Sequence, residues 1–238
     1  MGKLVLAEYI KFKKSSIRFL GLILLVPIVL VTFIYWVNPK YVFSWNEFIV
    51  TITTFENFLV MPFVFGFLGI YIFGSEYESG TIDILFSYPI SRSRLFLGKL
   101  IFIFICIIIG VLGVLIISIL LGLAFKGDEL RSGFLVYILI AYLKMVVMHF
   151  ALVPFMVLLV IISKGIVIPT ISLMGVCFFN LVVVNTSINI LYPWSIPVIF
   201  SPTDIGREYT NYVLGTIIIT IWFLVTFYYT YKKFISNK

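Results

Sequence analysis

The stretch FLGLILLVPIVLVTFIYWV, residues 19–37, contains no charged residue and is long enough to cross a bilayer as a helix. A spanning α-helix needs roughly 20 mostly apolar residues, because each residue rises about 1.5 Å across a hydrocarbon core about 30 Å thick. The whole chain shares this character, since 62% of its residues are hydrophobic and 11% are charged. Its mean hydropathy is +1.19. This composition indicates an integral membrane protein.

Further apolar segments follow at residues 55–74, 99–124, 134–163, 166–188 and 211–231. We expect helices, because the alternating pattern of a membrane β-barrel is absent and lipid offers no partner to an unpaired backbone group. Segment 134–163 is either one tilted span or an interfacial helix over residues 130–142 followed by a span that begins near Leu143. The sequence therefore predicts an all-α integral membrane protein, a single domain over residues 1–238 with six transmembrane helices.

Residues 1–18 form a basic leader that mixes the apolar side chains of Leu4, Tyr9, Phe12 and Ile17 with lysines. This pattern is typical of an amphipathic helix that lies on the inner membrane surface as an anchor. The segment that follows resembles a secretory signal only superficially, because NPKYVFS, residues 38–44, has no small-x-small cleavage site. We therefore expect residues 19–37 to be retained as the first span.

The lysines and arginines indicate the orientation, because cytoplasmic loops carry an excess of them. If the amino terminus is inside, the inner segments carry Lys3, Lys11, Lys13, Lys14, Arg18, Arg92, Arg94, Lys99, Lys164, Lys232, Lys233 and Lys238. The outer loops carry only Lys40, Lys126, Arg131 and Arg207. Both termini are therefore predicted to be cytoplasmic, in a multi-pass protein of the plasma (inner) membrane. Anionic lipid accounts for the net charge of +7, so we expect no nucleic-acid partner.

Motifs for catalysis and metal binding are missing from this sequence. Its one histidine is His149, and its two cysteines, Cys106 and Cys177, fall inside predicted spans. Neither a disulfide framework nor a zinc site is supported. The sequence has no HExxH, no Gly-x-Ser-x-Gly and no GxxxxGK[ST] loop for ATP phosphates. We therefore predict that the chain is not an enzyme and holds no cofactor or metal.

The segment GSEYESGTIDILFSYPISRSRLFLGK, residues 74–99, places acids, bases, glycine and proline between two hydrophobic runs. Ser75 and Glu78 have the S-x-x-E spacing of a capping box, and Gly80 permits a sharp turn. Thr81 is placed to cap a short helix over residues 82–87, which the residue before a proline ends at Tyr88-Pro89. A new helix is expected to begin at Ser91 or Ser93.

The short helix has an apolar stripe, because Ile82, Leu85 and Phe86 are spaced i, i+3 and i+4 while Asp83 points elsewhere. The pattern predicts an amphipathic helix at the cytoplasmic mouth, between the second and third spans. Three settings remain open for it: it contacts a cytoplasmic partner, lies against the bilayer, or folds back on the ends of the spanning helices.

The run Glu76-x-Glu78-x-Gly80-Thr81-x-x-x-Leu85, followed by Pro89-x-Ser91-Arg92 and Leu97-Gly98-Lys99, resembles the signature of permease subunits of type-2 ABC exporters. The six spans, the inner termini, the basic leader and an interrupted stretch before the last span are also similar to that family. The resemblance implies that residues 80–87 are a coupling helix that docks in a cleft of a separate cytoplasmic ATPase. It implies a role in ATPase coupling for Glu76, Glu78, Gly80, Thr81, Asp83 and Leu85.

The resemblance further implies a permease that exports a substrate, with ATP and Mg bound by two cytoplasmic ABC ATPase subunits. A second permease subunit, the same chain or a relative, would complete the pathway in the bilayer. Amphipathic peptides, lipids and hydrophobic drugs are candidate substrates. The alternative is a gradient-driven transporter or channel, or a membrane scaffold; a gradient-driven carrier more often has repeated halves and charged, broken helices at the midplane.

The outer segment LYPWSIPVIFSPTDIGREYT, residues 191–210, contains three prolines that prevent one continuous helix. They permit short pieces that re-enter the membrane, as between the last two spans of the family it resembles. Tyr192 and Trp194 are suited to the outer headgroups. The segment is either an outer lid or an ordinary loop. The candidate pathway or lid residues are His149, Pro193, Trp194 and Pro197.

Few ionisable residues fall inside the predicted spans. Glu56 and Lys144 are expected near the outer ends of their spans, where a charge can reach water. His149 lies deeper, and hydrogen-bonded packing is expected of it rather than proton transfer. Asn180 and Asn185 are expected to form hydrogen bonds between helices.

Overall fold

The computed structural model describes residues 1–38, 42–125, 129–202 and 211–236. The protein is 85% helical and has no strands within that part of the chain, so the all-α prediction is confirmed. The helices are α1 (Gly2–Lys14), α2 (Leu25–Val37), α3 (Trp45–Phe55), α4 (Met61–Glu78), α5 (Thr81–Ser87), α6 (Arg92–Gly122), α7 (Ser132–Ser163), α8 (Val167–Val183), α9 (Ile196–Phe200) and α10 (Tyr212–Ser236).

Three short elements join or precede these helices. A 3₁₀-helix at Ser16–Leu24 continues directly into α2, so the first span starts three residues earlier than predicted. A π-helical turn at Glu56–Val60 joins α3 to α4. A second 3₁₀-helix, Asn189–Leu191, precedes α9.

Helices long and apolar enough to cross a membrane occupy Ser16–Val37, Trp45–Glu78, Arg92–Gly122, Ser132–Ser163 and Tyr212–Ser236. The predicted span 166–188 is shorter, because α8 ends at Val183 after 17 residues. At about 1.5 Å per residue α8 extends about 25 Å, which is near the lower limit for a span. The described part of the chain therefore contains five candidate spans and one shorter apolar helix.

The second span differs most from its predicted start at residue 55. Its helix begins at Trp45 and runs for 34 residues through the π-helical turn to Glu78. Threonine, asparagine and glutamate over residues 45–57 lower the local hydropathy, but Thr53, Glu56 and Asn57 are buried inside the protein. A helix whose polar residues face protein has no need of a uniformly apolar sequence.

The segment 134–163 is a single helix. Helix α7 runs from Ser132 to Ser163 without interruption and includes Pro154. Its length of about 48 Å exceeds the thickness of the hydrocarbon core. The alternative of a separate interfacial helix over residues 130–142 is therefore wrong.

Helices α4 and α7 form the centre of the protein, because buried side chains follow one another along much of their length. The first span and α10 lie at the rim, where most of their apolar side chains are exposed. Exposed apolar side chains at the rim suit a lipid environment, where burial between helices offers no hydrophobic gain.

An aromatic cluster closes the core at the end away from α5. Phe43 and Trp45 meet edge to face with ring centroids 5.1 Å apart, and Phe43 stacks on Phe125 at 5.3 Å. The last residue of α6, Gly122, lies directly against the Trp45 ring, where a Cβ atom would overlap the ring carbons. A rigid indole in a packed site cannot yield easily to an added methyl group.

We expect Gly122→Ala to destabilise the protein by about 1–3 kcal/mol, because the new methyl group overpacks the Trp45 site. The measurement is the thermal unfolding midpoint of the purified protein in one detergent. Gly113→Ala, in the same helix, is the matched control, because a Cβ there has no neighbour within 4 Å. Equal midpoints for the two variants would contradict this packing.

Candidate functional site

The polar segment between α4 and α6 forms a compact helical turn. Gly80 has φ +67°, in the left-handed region that glycine adopts without strain, and it caps the start of α5. Helix α5 ends where Tyr88 turns extended before Pro89. Helix α6 begins at Arg92 after Ser91. The predicted short helix and its end at Ser87 are confirmed, and its start lies one residue earlier than predicted, at Thr81.

The predicted caps are wrong. Helix α4 continues through Ser75 to Glu78, so Ser75 lies inside a helix and cannot cap one. Thr81 is the first residue of α5 and makes no capping bond. Its hydroxyl instead lies 2.9 Å from the hydroxyl of Ser79. The capping-box pattern misled because the membrane helix extends four residues past its predicted end.

The apolar stripe of α5 packs against the protein itself. Ile82 is buried, and Leu85 and Phe86 are half-buried against the core. The Phe86 ring meets Phe234 of α10 edge to face at 5.4 Å, and the Arg92 guanidinium carbon lies 4.2 Å from the Phe86 ring centroid. Of the three settings that the sequence left open, the stripe takes the one in which α5 folds back on the helix ends.

The opposite face of α5 is exposed. It presents Thr81, Asp83, Ile84 and Ser87, and Tyr88 extends the face beyond the helix. Ile84 is 58% and Tyr88 57% exposed. Large apolar side chains beside a carboxylate, exposed at one end of the bundle, are suited to contact another protein.

A cluster of four charged residues lies at the same end of the bundle and joins α1, α4 and α6. The Lys99 and Lys11 amines each donate to Oε1 of Glu76 at 2.7 Å. They also donate to Oε1 of Glu8, at 3.2 and 3.1 Å respectively. A further bond runs from the Lys99 amine to the Ile72 carbonyl at 3.1 Å. We call Glu8, Lys11, Glu76 and Lys99 the charge cluster.

The charge cluster is partly withdrawn from water. Lys99 is 2% and Glu76 6% exposed, so each depends on its partners to offset the loss of hydration. Partial burial lowers the pKa of Lys11, but the Glu76 and Glu8 carboxylates outweigh this effect and the pKa is raised above its ordinary value of 10.5. The two acids and two bases balance, and this makes their burial tolerable.

The structure divides the residues predicted for ATPase coupling into two groups. Glu76 belongs to the charge cluster, and Oε1 of Glu78 accepts a bond from the Ile166 amide at 3.0 Å, next to the start of α8. Both carboxylates therefore connect α4 to neighbouring parts of the bundle. Gly80, Thr81 and Asp83 form the turn and its exposed face, while Leu85 packs inward.

Two ion pairs of the leader were not predicted, namely Lys11 with Glu76 and Glu8 with Lys99. The leader was interpreted as a lipid anchor, yet Leu4 packs against Gly98. The bond between Lys11 and Glu76 links residues 65 positions apart. The pair of Glu76 and Lys99 could have been predicted from the sequence. One predicted span is followed by an acid, and the next begins with a lysine at the same end of the bundle.

At the other end of the bundle, the outer segment enters the protein. Pro193 and Pro197 are buried, and α9 packs on α7 and α10. Trp194 is buried, with Phe155 and Trp222 each 5.4 Å away between ring centroids. The prediction that Trp194 lies at the headgroups is therefore wrong. Residues 203–210 of this segment lie outside the described residues.

His149 lies in a buried polar group beside the π-helical turn. Its Nε2 is 2.9 Å from Oδ1 of Asn57, and it lines one small cavity together with Trp194. Asn180 donates to the Phe58 carbonyl at 3.1 Å, which confirms the predicted bond between helices for that residue. Glu56 is fully buried rather than at the span end, and neither carboxylate oxygen has a hydrogen-bond partner among the described residues.

We expect Lys99→Met to cost about 3 kcal/mol of stability, because it leaves the buried Glu76 and the partly buried Glu8 to one half-exposed lysine. Thermal unfolding in detergent measures this loss. The control is Lys13→Met, which removes an exposed lysine of α1 that has no ion pair within the described residues. The double variant Lys99→Met/Glu76→Gln, with charge balance restored, should be more stable than Lys99→Met alone. A double variant less stable than the single one would refute the pairing.

One comparison with known proteins identifies the family. A family model described as ABC-2 family transporter protein matches residues 4–185. The match runs from α1 through α8 and includes the charge cluster and α5. No curated protein matches the chain. Because the match covers well over half of the sequence, the chain belongs to the ABC-2 transporter family and is a membrane permease component of an ABC transporter.

Proposed function

We propose that α5 is the coupling helix of this permease, and that a cytoplasmic ATPase subunit docks on its exposed face. The observation that supports this most directly is the contrast between the two faces of α5. Ile82, Leu85 and Phe86 fix the helix to the bundle, while Asp83 and Ile84 are left exposed. A carboxylate can form charge-assisted bonds with arginine or lysine on a partner.

The connections of α5 allow it to transmit a displacement. It follows α4 after a short turn, and Phe86 packs on Phe234 of α10. The Arg92 side chain at the start of α6 donates to the Ile235 carbonyl of α10 at 2.8 Å. A displacement of α5 would therefore move the ends of α4, α6 and α10 together.

At the opposite end, the buried segment around Trp194 would close the pathway until those helices move. Alternation between a closed and an open pathway is a shift between two states, which ATP binding in the partner would drive. By the family resemblance the pathway would carry substrate outward. Two ATPase subunits and a second permease, identical or related, would complete the transporter.

The first experiment is co-purification of the tagged chain, expressed with its neighbouring genes, in mild detergent. We expect an ABC ATPase to be retained, and Asp83→Arg to weaken its association at least tenfold, because a reversed charge meets the partner's basic residues. Glu129→Arg is the matched control, an exposed acid reversed at a position far along the chain from α5. Full retention in Asp83→Arg would exclude docking at this face. Failure to recover any ATPase, even after cross-linking at residues 80–87, would favour gradient-driven transport.

Docking and transmission can be separated, because they use different faces of α5. Phe86→Ala removes the contact with Phe234 and leaves the exposed face intact, so we expect normal ATPase association but transport reduced severalfold. Ile84→Asp changes the exposed face instead, so we expect it to weaken ATPase association. Transport per bound ATPase, measured in proteoliposomes, distinguishes the two. Parallel loss of association in both variants would show that the inward face also binds the partner.

A further inference from the structure

A groove of about 600 Å³ lies between α7 and α10. Along α10 it extends from Tyr212 to Phe223, and along α7 from Lys144 to Ala151. Tyr212 is the first residue of α10, whereas Phe234 near the other end contacts α5. The groove therefore occupies the half of the membrane region opposite α5, the outer half in the predicted topology.

Lys144 is the only charged residue among the described residues that line this groove. Its side chain is exposed, and within the described ranges it has neither an ion pair nor a hydrogen bond. An unpaired ammonium group within the apolar part of a membrane helix is costly, because lipid does not replace its hydration. A negatively charged group placed at the mouth of the groove would remove much of that cost.

The groove is polar at one end and apolar along its length. Lys144 is the first residue of α7 in the lining, and Phe150, six residues and about 9 Å further along α7, meets Phe223 with ring centroids 6.0 Å apart. Thr216 and Thr220 add no free donors, because each hydroxyl already donates to the carbonyl four residues before it. The shape fits a molecule with an anionic head and a long apolar tail.

We propose that this groove binds an anionic phospholipid of the surrounding bilayer. Its phosphate pairs with the Lys144 ammonium, and one acyl chain lies along the apolar wall toward Phe223. Charge complementarity selects the headgroup, since the ammonium gains a charge-assisted bond from a phosphate. A net negative headgroup is preferred to a zwitterionic one, because no headgroup cation competes with the lysine. The bilayer supplies this ligand without any other partner.

Such a lipid would contact both helices. Helix α10 already bonds to α7 nearer the α5 end, where the Thr230 hydroxyl donates to the Pro154 carbonyl at 2.9 Å. The lipid would fill the space between the same two helices at their other end. A lipid that binds only the folded protein then stabilises it, and the stabilisation increases with the logarithm of lipid concentration.

The test places a fluorescent reporter in the groove. Phe223→Trp is reconstituted into bilayers of phosphatidylcholine with a fraction of brominated phosphatidylglycerol or, separately, brominated phosphatidylcholine. Quenching of the parent chain, which carries the native tryptophans alone, is subtracted. We expect the brominated anionic lipid to associate with the reporter site about fivefold more strongly than the zwitterionic lipid. With Lys144→Gln added, the ratio should fall to about one.

Two further variants keep the test decisive. Lys144→Arg retains the charge and should keep the anionic preference, whereas Lys232→Gln removes an exposed lysine near the α5 end and should leave it unchanged. A preference that persists in Lys144→Gln would overturn the proposal. Weak quenching by both lipids would also overturn it, because it would mean that a protein surface, such as a second copy of this chain, covers the groove.

Discussion

The bond between Lys99 and Glu76 is the constraint on which the α5 end of this protein depends. A lysine that is 2% exposed requires a carboxylate, and Glu76 reaches it only because α4 continues past the hydrophobic run. This pairing places the end of α4 beside the start of α6. The residues between the two helices must therefore turn back within a short distance. Gly80, with its positive φ, and the seven residues of α5 make that return. The position of α5 is therefore a consequence of the charge cluster.

The charge cluster also changes the role of the amino-terminal helix. An amphipathic leader needs only lipid to bury its apolar face, but α1 places Glu8 against Lys99 and Phe12 against Phe102, with ring centroids 5.6 Å apart. Lys11 and Glu8 of α1 pair with Glu76 of α4 and Lys99 of α6, so removal of α1 would take one ion-pair partner from each of these two buried residues. We infer that α1 moves with α4 and α6 when the bundle changes state.

The sequence was sufficient to predict the membrane class, the position of α5 and its end at Tyr88, because runs of apolar residues and proline act locally. It could not predict the start of the second span at Trp45, since hydropathy records how polar a residue is and not whether it faces lipid or protein. The same limitation affected Glu56, which is buried rather than interfacial. Trp194 was misplaced for a related reason: tryptophan favours the headgroup region only when no protein site receives it.

Two neighbouring residues of α7, Pro154 and Phe155, connect the two ends of the proposed pathway. The Pro154 carbonyl accepts the bond from Thr230 of α10, and the next residue, Phe155, contacts both Trp194 and Trp222. Proline leaves the backbone of the preceding turn without one helical bond, so this part of α7 can adjust at lower cost than an unbroken helix. Movement of α10, which carries Phe234 against α5, would thus reach the Trp194 segment through one turn of α7. A packed aromatic group is not continuously deformable, so the segment is expected to change between discrete arrangements.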